Sequence, residues 1–227
     1  MGYSHISTYG DGDSYGSDAM VVHVCKGDGV GTTLRNVAAS GVEEALKQLY
    51  NAGSIDGWRI EEYDTTCNLD CDGSGLLDQW TNWRENRGLT DRGSWLLVHG
   101  CHTSVAVHNG NAWNTDLSAI VKTDWFHFCD KYAFQGVAVQ EVFHNYLSYD
   151  SECTEKRWVT NGEGDHALGD DIYYNGDYKR TPMCINYDDK KTSGDCNDNH
   201  NQSDCGGNKW LNWCEEDGIK YSRQCET

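Results

Sequence analysis

The chain has 227 residues and carries 36 acidic against 18 basic side chains, which gives a formal net charge of −18 at pH 7. This length is enough for the core of one domain, or of one domain with a smaller appended lobe. Because its negative field repels nucleic acid and anionic surfaces, and no apolar run approaches the roughly 18–20 residues that cross a bilayer, we expect neither a nucleic-acid partner nor a membrane partner.

The predicted elements alternate between strands and helices. The first 18 residues are rich in Gly, Ser, Tyr and Asp without an apolar period, which predicts a flexible N-terminal arm. The chain then alternates between β-rich runs and runs with apolar residues at helical spacing. These runs predict strands at 19–25, 58–63, 94–99, 104–108 and 117–123, and helices at 34–50, 76–87 and 130–148.

This alternation predicts an α/β (α+β) fold with a twisted mixed, mostly parallel five-stranded sheet. The segment 104–108, which precedes an Asn-Gly-Asn turn, is predicted as an edge strand. Residues 19–150 are predicted to form the upper subdomain. Residues 151–227 are polar, glycine-rich and cysteine-rich, and predict a loop-dominated, disulfide-rich lower subdomain.

Eleven cysteines are spread along the chain, and the last fifth is especially rich in them. A reducing cytosol seldom holds so many in a chain of this size, so we expect extracellular disulfides and therefore a secreted protein. The odd total leaves one cysteine free or available to pair with a second chain, which allows self-association.

Apolar side chains surround almost the whole of the predicted helix 130–148, which indicates a helix packed inside the domain. Within it stands Gln140-Glu141-Val142-Phe143-His144, and Asp150 follows six residues after His144. A glutamate in such a helix is costly unless it is paired. Glu141 and His144 therefore predict either a functional site or a buried hydrogen bond.

This segment resembles the zincin signature HExxH, in which two histidines one turn apart bind zinc and the intervening glutamate polarises the metal-bound water. With Asp150 it is similar to the metzincins, which place a third ligand six residues beyond the second histidine. The resemblance implies that Glu141 is the general base and that His144 and Asp150 bind zinc. The chain departs from the family at Gln140, where the first histidine would stand, and at Leu147, where metzincins have glycine.

A second resemblance lies downstream, where Thr181-Pro182-Met183-Cys184 is similar to the Met-turn that metzincins place beneath the metal. Pro182 is the only proline of the chain, which marks a specific turn. Between the two motifs, His166 lies among acidic residues and glycines. It is a candidate to replace the missing imidazole, although we favour an ordinary loop histidine paired with Asp165.

An acidic loop offers oxygen ligands at alternate positions, namely Asn68, Asp70 and Asp72, with Gly73 at the turn. Calcium loops have such a pattern, but the residue expected to be Glu at position 12 is Gln79. We weigh a calcium site against a solvated turn that caps the next helix, and favour the turn. We also expect Cys67 and Cys71 to constrain this loop covalently.

The first predicted function is a secreted zinc metallopeptidase that hydrolyses a peptide or protein substrate with metal-activated water and Glu141 as general base. Its metal would be held by His144, Asp150 and either Gln140 or His166. The alternative is a catalytically inactive metzincin-like extracellular binding or structural protein, in which Gln140 marks a lost metal site. A third hypothesis is a calcium-stabilised surface module in which Glu141 and His144 only form hydrogen bonds within the core.

Overall fold

The strands form a six-stranded mixed sheet in a computed structural model that describes residues 2–102, 106–108, 111–128, 131–147, 168–169, 171–174, 177–183 and 209–226. Its order is β1-β3-β2-β4-β6-β5. The middle four strands are mutually parallel, and β1 and β5 pair antiparallel at the two edges. The bounds are β1 Tyr3–Gly12, β2 Ala19–Lys26, β3 Gly57–Thr65, β4 Gly93–His99, β5 Ala106–Val107 and β6 Asp116–Lys122.

Helices cover both faces of this sheet. On one face α1 packs against α4 over the larger core, and on the other face α2 covers a second core built around Trp80 and Trp95. A two-stranded hairpin and a C-terminal helix complete the described elements. The bounds are α1 Thr32–Asn51, α2 Leu76–Glu85, α3 Asp124–Phe128, α4 Lys131–Tyr146, β7 Asp171–Tyr174, β8 Asp177–Arg180 and α5 Trp213–Glu226.

The central elements confirm the mixed α/β prediction, because each predicted strand and helix of residues 19–148 has a counterpart within a few residues. The parallel strands β2 and β4 are buried along almost their entire length, as expected of strands covered on both faces. The edge position of β5 and the burial of α4 also agree with the prediction.

The prediction of an unstructured arm was wrong for Tyr3–Gly12, which is a strand and raises the number of strands from five to six. This strand is held by backbone pairing with β3, from Tyr3 opposite Thr65 to Gly12 opposite Gly57. Most of its side chains are exposed. Because backbone pairing does not require apolar side chains, an edge strand of this kind leaves no apolar period in the sequence.

The prediction of a loop-dominated lower lobe missed α5, whose buried residues Cys214 and Ile219 join the main core. Cys214 is disulfide-bonded. Most of residues 148–208 lie outside the described part of the chain, so the subdomain boundary at 150 stays a prediction. Among the described helices, none is long and apolar enough to cross a membrane.

Candidate functional site

The last turn of α4 is fixed to the sheet by two neighbouring residues. The amide of Asn145 donates to the His108 carbonyl at 2.6 Å, while its Oδ1 accepts from the Ser94 hydroxyl at 2.6 Å. The hydroxyl of Tyr146 donates to the Val21 carbonyl at 2.6 Å and accepts from the Val21 amide at 2.8 Å. These buried bonds fix the rotation of the helix, and hence the directions of the residues one turn earlier.

Glu141 and His144 are both buried on α4, with exposed fractions of 3% and 5%. Residues three apart on an α-helix are neighbours on its surface, so the two side chains share one face. Gln140 lies on α4 one turn before His144 and is half-buried. Both Glu141 and His144 have interaction partners within the protein. The structure thus buries a carboxyl group and an imidazole three residues apart on α4.

Met183 is fully buried and belongs to the same hydrophobic core as Val142 and Phe143 of α4. Its backbone amide donates to Oε1 of Glu215 at 2.7 Å. Thr181 and Pro182 are buried beside it. Residues 181–183 of the predicted Met-turn segment are therefore anchored in the core that also holds the central part of α4.

Glu215 on α5 binds the segment that contains Met183, and the sequence prediction missed it. Its Oε2 accepts from the backbone amide of Asn212 at 2.8 Å, and its own amide donates to Oδ1 of Asn212 at 2.8 Å. This reciprocal pair is a capping box, which favours a helix start at Trp213. The spacing Asn-x-x-Glu was visible in the sequence and could have predicted α5, but not that Glu215 also binds the Met183 amide.

The remaining predicted metal ligands, Asp150 and His166, lie outside the described residues. Within the part of the chain that the structure describes, no group of three or more His, Cys, Asp or Glu side chains is arranged to hold a metal ion. The zinc prediction therefore stays a prediction, with Glu141, His144 and Gln140 as the residues whose positions are known.

The acidic loop after β3 satisfies many of its polar groups internally. The Asp70 amide donates to Oε1 of Gln79 at 2.8 Å, and the Asp72 amide donates to Oδ1 of Asp70 at 3.3 Å. Asn68, Asp70 and Asp72 are exposed. The calcium prediction for these three residues stays a prediction.

Two details of this loop differ from expectation. The N-cap of α2 is Gly75, with φ +69° and no side-chain cap hydrogen bond, so the loop does not cap the helix through an acidic side chain. The left-handed φ explains why glycine stands there. Cys71 is bonded to Cys101 after β4, whereas Cys67 is a free thiol. Only one of the two expected covalent constraints is therefore present in the described structure.

A second polar cluster, which the sequence prediction also missed, surrounds the half-buried Glu61 on β3. Nδ1 of the fully buried His23 lies 3.3 Å from Oε2 of Glu61. The Tyr63 hydroxyl donates to the same oxygen at 2.7 Å, and Nε of Arg59 donates to Oε1 at 2.8 Å. These groups, His23 foremost, lower the pKa of Glu61 from 4.5 to about 2 against the opposing effect of burial.

The cluster is part of the sheet and contains none of the predicted site residues. His23 also stacks on Trp95, with ring centres 3.8 Å apart. Arg59, Glu61 and Tyr63 stand at alternate positions of one strand, so the shared face could have been predicted from their spacing. Their link to His23 depends on the pairing of β2 with β3.

A groove of about 710 Å³ between α1 and the start of α5 lies elsewhere on the surface and has Lys47, Asn51 and Trp210 among its lining residues. It contains none of the predicted site residues, so it does not identify the chemistry of α4. No protein-family model matches the chain, and comparison with curated proteins and with solved structures finds no significant similarity to any of them.

Proposed function

We propose that the chain is a secreted metal-dependent peptidase of the metzincin type, with Glu141 as general base. The observation that carries the proposal is the joint burial of Glu141 and His144 on α4, with Met183 in the same core. A buried carboxyl and imidazole one turn apart are costly to desolvate, and a functional site is a reason to retain them.

The fold supports the same proposal. The family resemblance rests partly on the order of strands and helices before residue 130, and the described structure has that order, with an antiparallel edge strand β5 and a buried helix α4. Fold alone does not define an activity. The residues of α4 therefore carry more weight than the sheet.

The residues on α4 fit a zinc site in part. The imidazole of His144 is an ordinary zinc ligand, whereas the neutral amide of Gln140 is a poor one. We propose His144, Asp150 and either His166 or Gln140 as the ligand set. Zinc, when bound, supplies a polarised water of lowered pKa.

In this proposal Glu141 would act as the general base, taking up a proton from the attacking water and returning it to the amine that leaves when the peptide bond breaks. The hydrogen bonds of Asn145 and Tyr146 keep Glu141 and His144 in fixed directions. Burial excludes bulk water from both groups, which strengthens the electrostatic interactions that they make inside the protein. The proposed substrate is a peptide or a protein.

The second candidate function is a catalytically inactive extracellular binding or structural protein on the same scaffold. Gln140 is the observation that favours it, because a site that has lost one imidazole would bind zinc weakly. Its partner would again be a peptide or a protein. The two candidates differ in zinc content and in cleavage.

The deciding experiment measures zinc in the purified protein and the cleavage of a denatured protein substrate, with Glu141→Gln as the test variant. We expect about one zinc per chain, and a loss of roughly 100-fold to 10,000-fold in cleavage rate in Glu141→Gln without loss of zinc. The control is Glu216→Gln, the same change at a half-buried residue of α5.

Cleavage that persists in Glu141→Gln would contradict the assigned base. A folded protein with neither zinc nor cleavage would contradict the peptidase and favour the binding protein. Loss of activity in Glu216→Gln as well would show that the assay reports folding instead of chemistry.

A further inference from the structure

We propose that Cys25 and Cys67 form a disulfide bond when the chain matures in an oxidising compartment. The structure describes both as buried free thiols beside the Cys71–Cys101 bond. With both bonds made, the segment 67–71 would be tied at one end to β2 and at the other end to the segment after β4. The bond requires an oxidising compartment and does not depend on the proposed peptidase activity.

Backbone contacts place Cys67 across the carboxyl end of β2. The Asp28 amide donates to the Cys67 carbonyl at 2.7 Å. Gly27 has no side chain, and a Cβ placed on it would lie 3.1 Å from the Cys67 carbonyl oxygen. The chain therefore passes over Gly27 on the side where a Gly27 side chain would stand.

Cys25 stands two residues before Gly27 and points to the same face of the sheet. Cys25, Cys67 and Cys101 all belong to the core beneath α2. The Cys67 thiol is close enough to Cys25 to contribute to the raised pKa of Cys25. The shared core and the course of the backbone over Gly27 place the two thiols near each other on the same face of the sheet.

The course of the loop supplies an independent reason. β2 lies between β3 and β4 in the sheet. The segment that leaves β3 therefore crosses β2 before Cys71 reaches Cys101, where the two Cα atoms are 5.2 Å apart. One cysteine, Cys67, stands where the segment crosses the end of β2, and a second, Cys71, stands where it reaches the end of β4. A second bond at Cys67 would brace three adjacent strands at their carboxyl ends.

The chemistry is two thiol–disulfide exchanges with an external disulfide of the glutathione class. One cysteine thiolate attacks the oxidant, releasing one glutathione thiolate and leaving a mixed disulfide. The other thiolate then attacks the protein sulfur of that mixed disulfide and releases the second glutathione. The oxidant gains two electrons, and each protein thiol loses one proton.

The timing of this reaction follows from burial. Cys25 is fully buried and Cys67 is 2% exposed. Burial raises the pKa of Cys67 to about 12 and raises the pKa of Cys25 well above its usual range, with the neighbouring Cys67 as a further cause for Cys25. Few thiolates form once the sheet has closed, so we expect the bond to form during folding.

The test is disulfide mapping of protein refolded from the reduced, denatured state with reduced and oxidised glutathione. Free thiols are alkylated in denaturant before digestion. Cleavage after Lys26 and before Asp70 separates Cys25, Cys67 and Cys71 into different peptides. We expect the Cys25 peptide to be joined to the Cys67 peptide, and the Cys71 peptide to the Cys101 peptide.

Alkylated Cys25 and Cys67 in otherwise oxidised protein would overturn the proposal, and so would a bond from Cys25 to any other cysteine. A second measurement compares the urea midpoint of the wild type with that of Cys25→Ala/Cys67→Ala. We expect a lower midpoint for the double variant in oxidising buffer and a much smaller gap in strong reductant. A gap of equal size in reductant would mean that the two side chains act by packing alone.

Discussion

At the scale of single residues, Gln140 is the residue on which the zinc-binding interpretation of the α4 motif depends most. It is half-buried one turn before His144, at the position where a zincin has its first histidine. An amide oxygen is a weaker donor to zinc than an imidazole nitrogen. If the proposed zinc site is present, its affinity for zinc should depend on the residue at position 140 more than on any other single position in α4.

The corresponding prediction concerns Gln140→His. We expect zinc affinity to rise at least 10-fold, because a second imidazole would stand one turn from His144 on the same face. Competition with a chromogenic zinc chelator measures the affinity. Tyr132→His, at an exposed residue two turns earlier in α4, is the control and should leave the affinity unchanged. Equal affinity in the wild type and Gln140→His would argue against a zinc site on this helix.

Glu61 supports a prediction about acid stability. Its pKa is lowered from 4.5 in the unfolded chain to about 2 in the folded protein. Stability from this carboxylate is therefore complete above about pH 4.5 and is lost as the pH falls towards 2. Glu61→Gln should remove about 1–2 kcal/mol of the free energy of unfolding at pH 6, after allowance for solvent screening, and little of it near pH 2.

Urea unfolding between pH 2 and pH 6 measures this difference. Glu43→Gln serves as the control, because Glu43 makes a surface pair with Lys47. Its change in stability should stay below about 0.5 kcal/mol across the range. A stability loss in Glu61→Gln that is as large at pH 2 as at pH 6 would contradict the lowered pKa.

At the scale of elements, the close contact of α1 with α4 sets the position of the helix that bears Glu141 and His144. Gly41 of α1 lies against Gln135 of α4, and a Cβ on Gly41 would come within 2.6 Å of the Gln135 Cβ. The side-chain amide of Gln135 also donates to the Val37 carbonyl at 3.2 Å. Glycine is needed here for close approach, although it lowers helix propensity.

We predict that Gly41→Ala destabilises the protein by about 1–3 kcal/mol, because the rigid Cβ of Gln135 must move with its backbone. Alanine gains about 1 kcal/mol in helix propensity, which only partly offsets this cost. Gly218→Ala is a matched control on α5. Its new Cβ would meet the flexible Cδ1 of Leu168, also at 2.6 Å, so its cost should be smaller. Thermal unfolding measures the stability loss of both variants. A loss in Gly218→Ala that equals or exceeds the loss in Gly41→Ala would contradict the role assigned to the Gln135 Cβ.

At the scale of the whole molecule, covalent links and a central parallel sheet together determine stability. The sheet brings together strands that are distant in sequence, and Cys71–Cys101 joins two segments that lie 30 residues apart. Both cysteines lie at the carboxyl edge of the sheet, one after β3 and the other after β4. The bond constrains the unfolded chain. The order of the strands is set by their backbone pairing and does not require the bond.

We predict that Cys71→Ala/Cys101→Ala lowers the free energy of unfolding by about 2–4 kcal/mol, chiefly by increasing the entropy of the unfolded chain. The folded variant should keep its far-ultraviolet circular dichroism, because β2, β4 and β6 stay packed between helices. Urea unfolding measures the loss, with wild type in strong reductant as a comparison. A variant as stable as the oxidised wild type would show that the bond adds no constraint.

Much of the fold could be predicted because the middle of the chain has strong periodic patterns. Ala19–Lys26 and Gly93–His99 are nearly continuous apolar runs, which is the pattern expected of strands covered on both faces, and both are buried strands in the structure. The joint position of Glu141 and His144 could also be predicted, since three residues of helix fix their relative direction. The strand Tyr3–Gly12 could not be predicted, because it is held by backbone pairing with β3 and its side chains show no apolar pattern.

Local spacing along the chain is enough to predict the alternation of strands and helices, the burial of α4 and the shared face of Glu141 and His144. Three other features appear only in the folded protein: Glu215 binds the Met183 amide, Gly41 packs against Gln135, and Cys67 lies over the end of β2. These contacts join residues far apart in the chain. Their energies depend on desolvation and distance, which exist only after the sheet has formed.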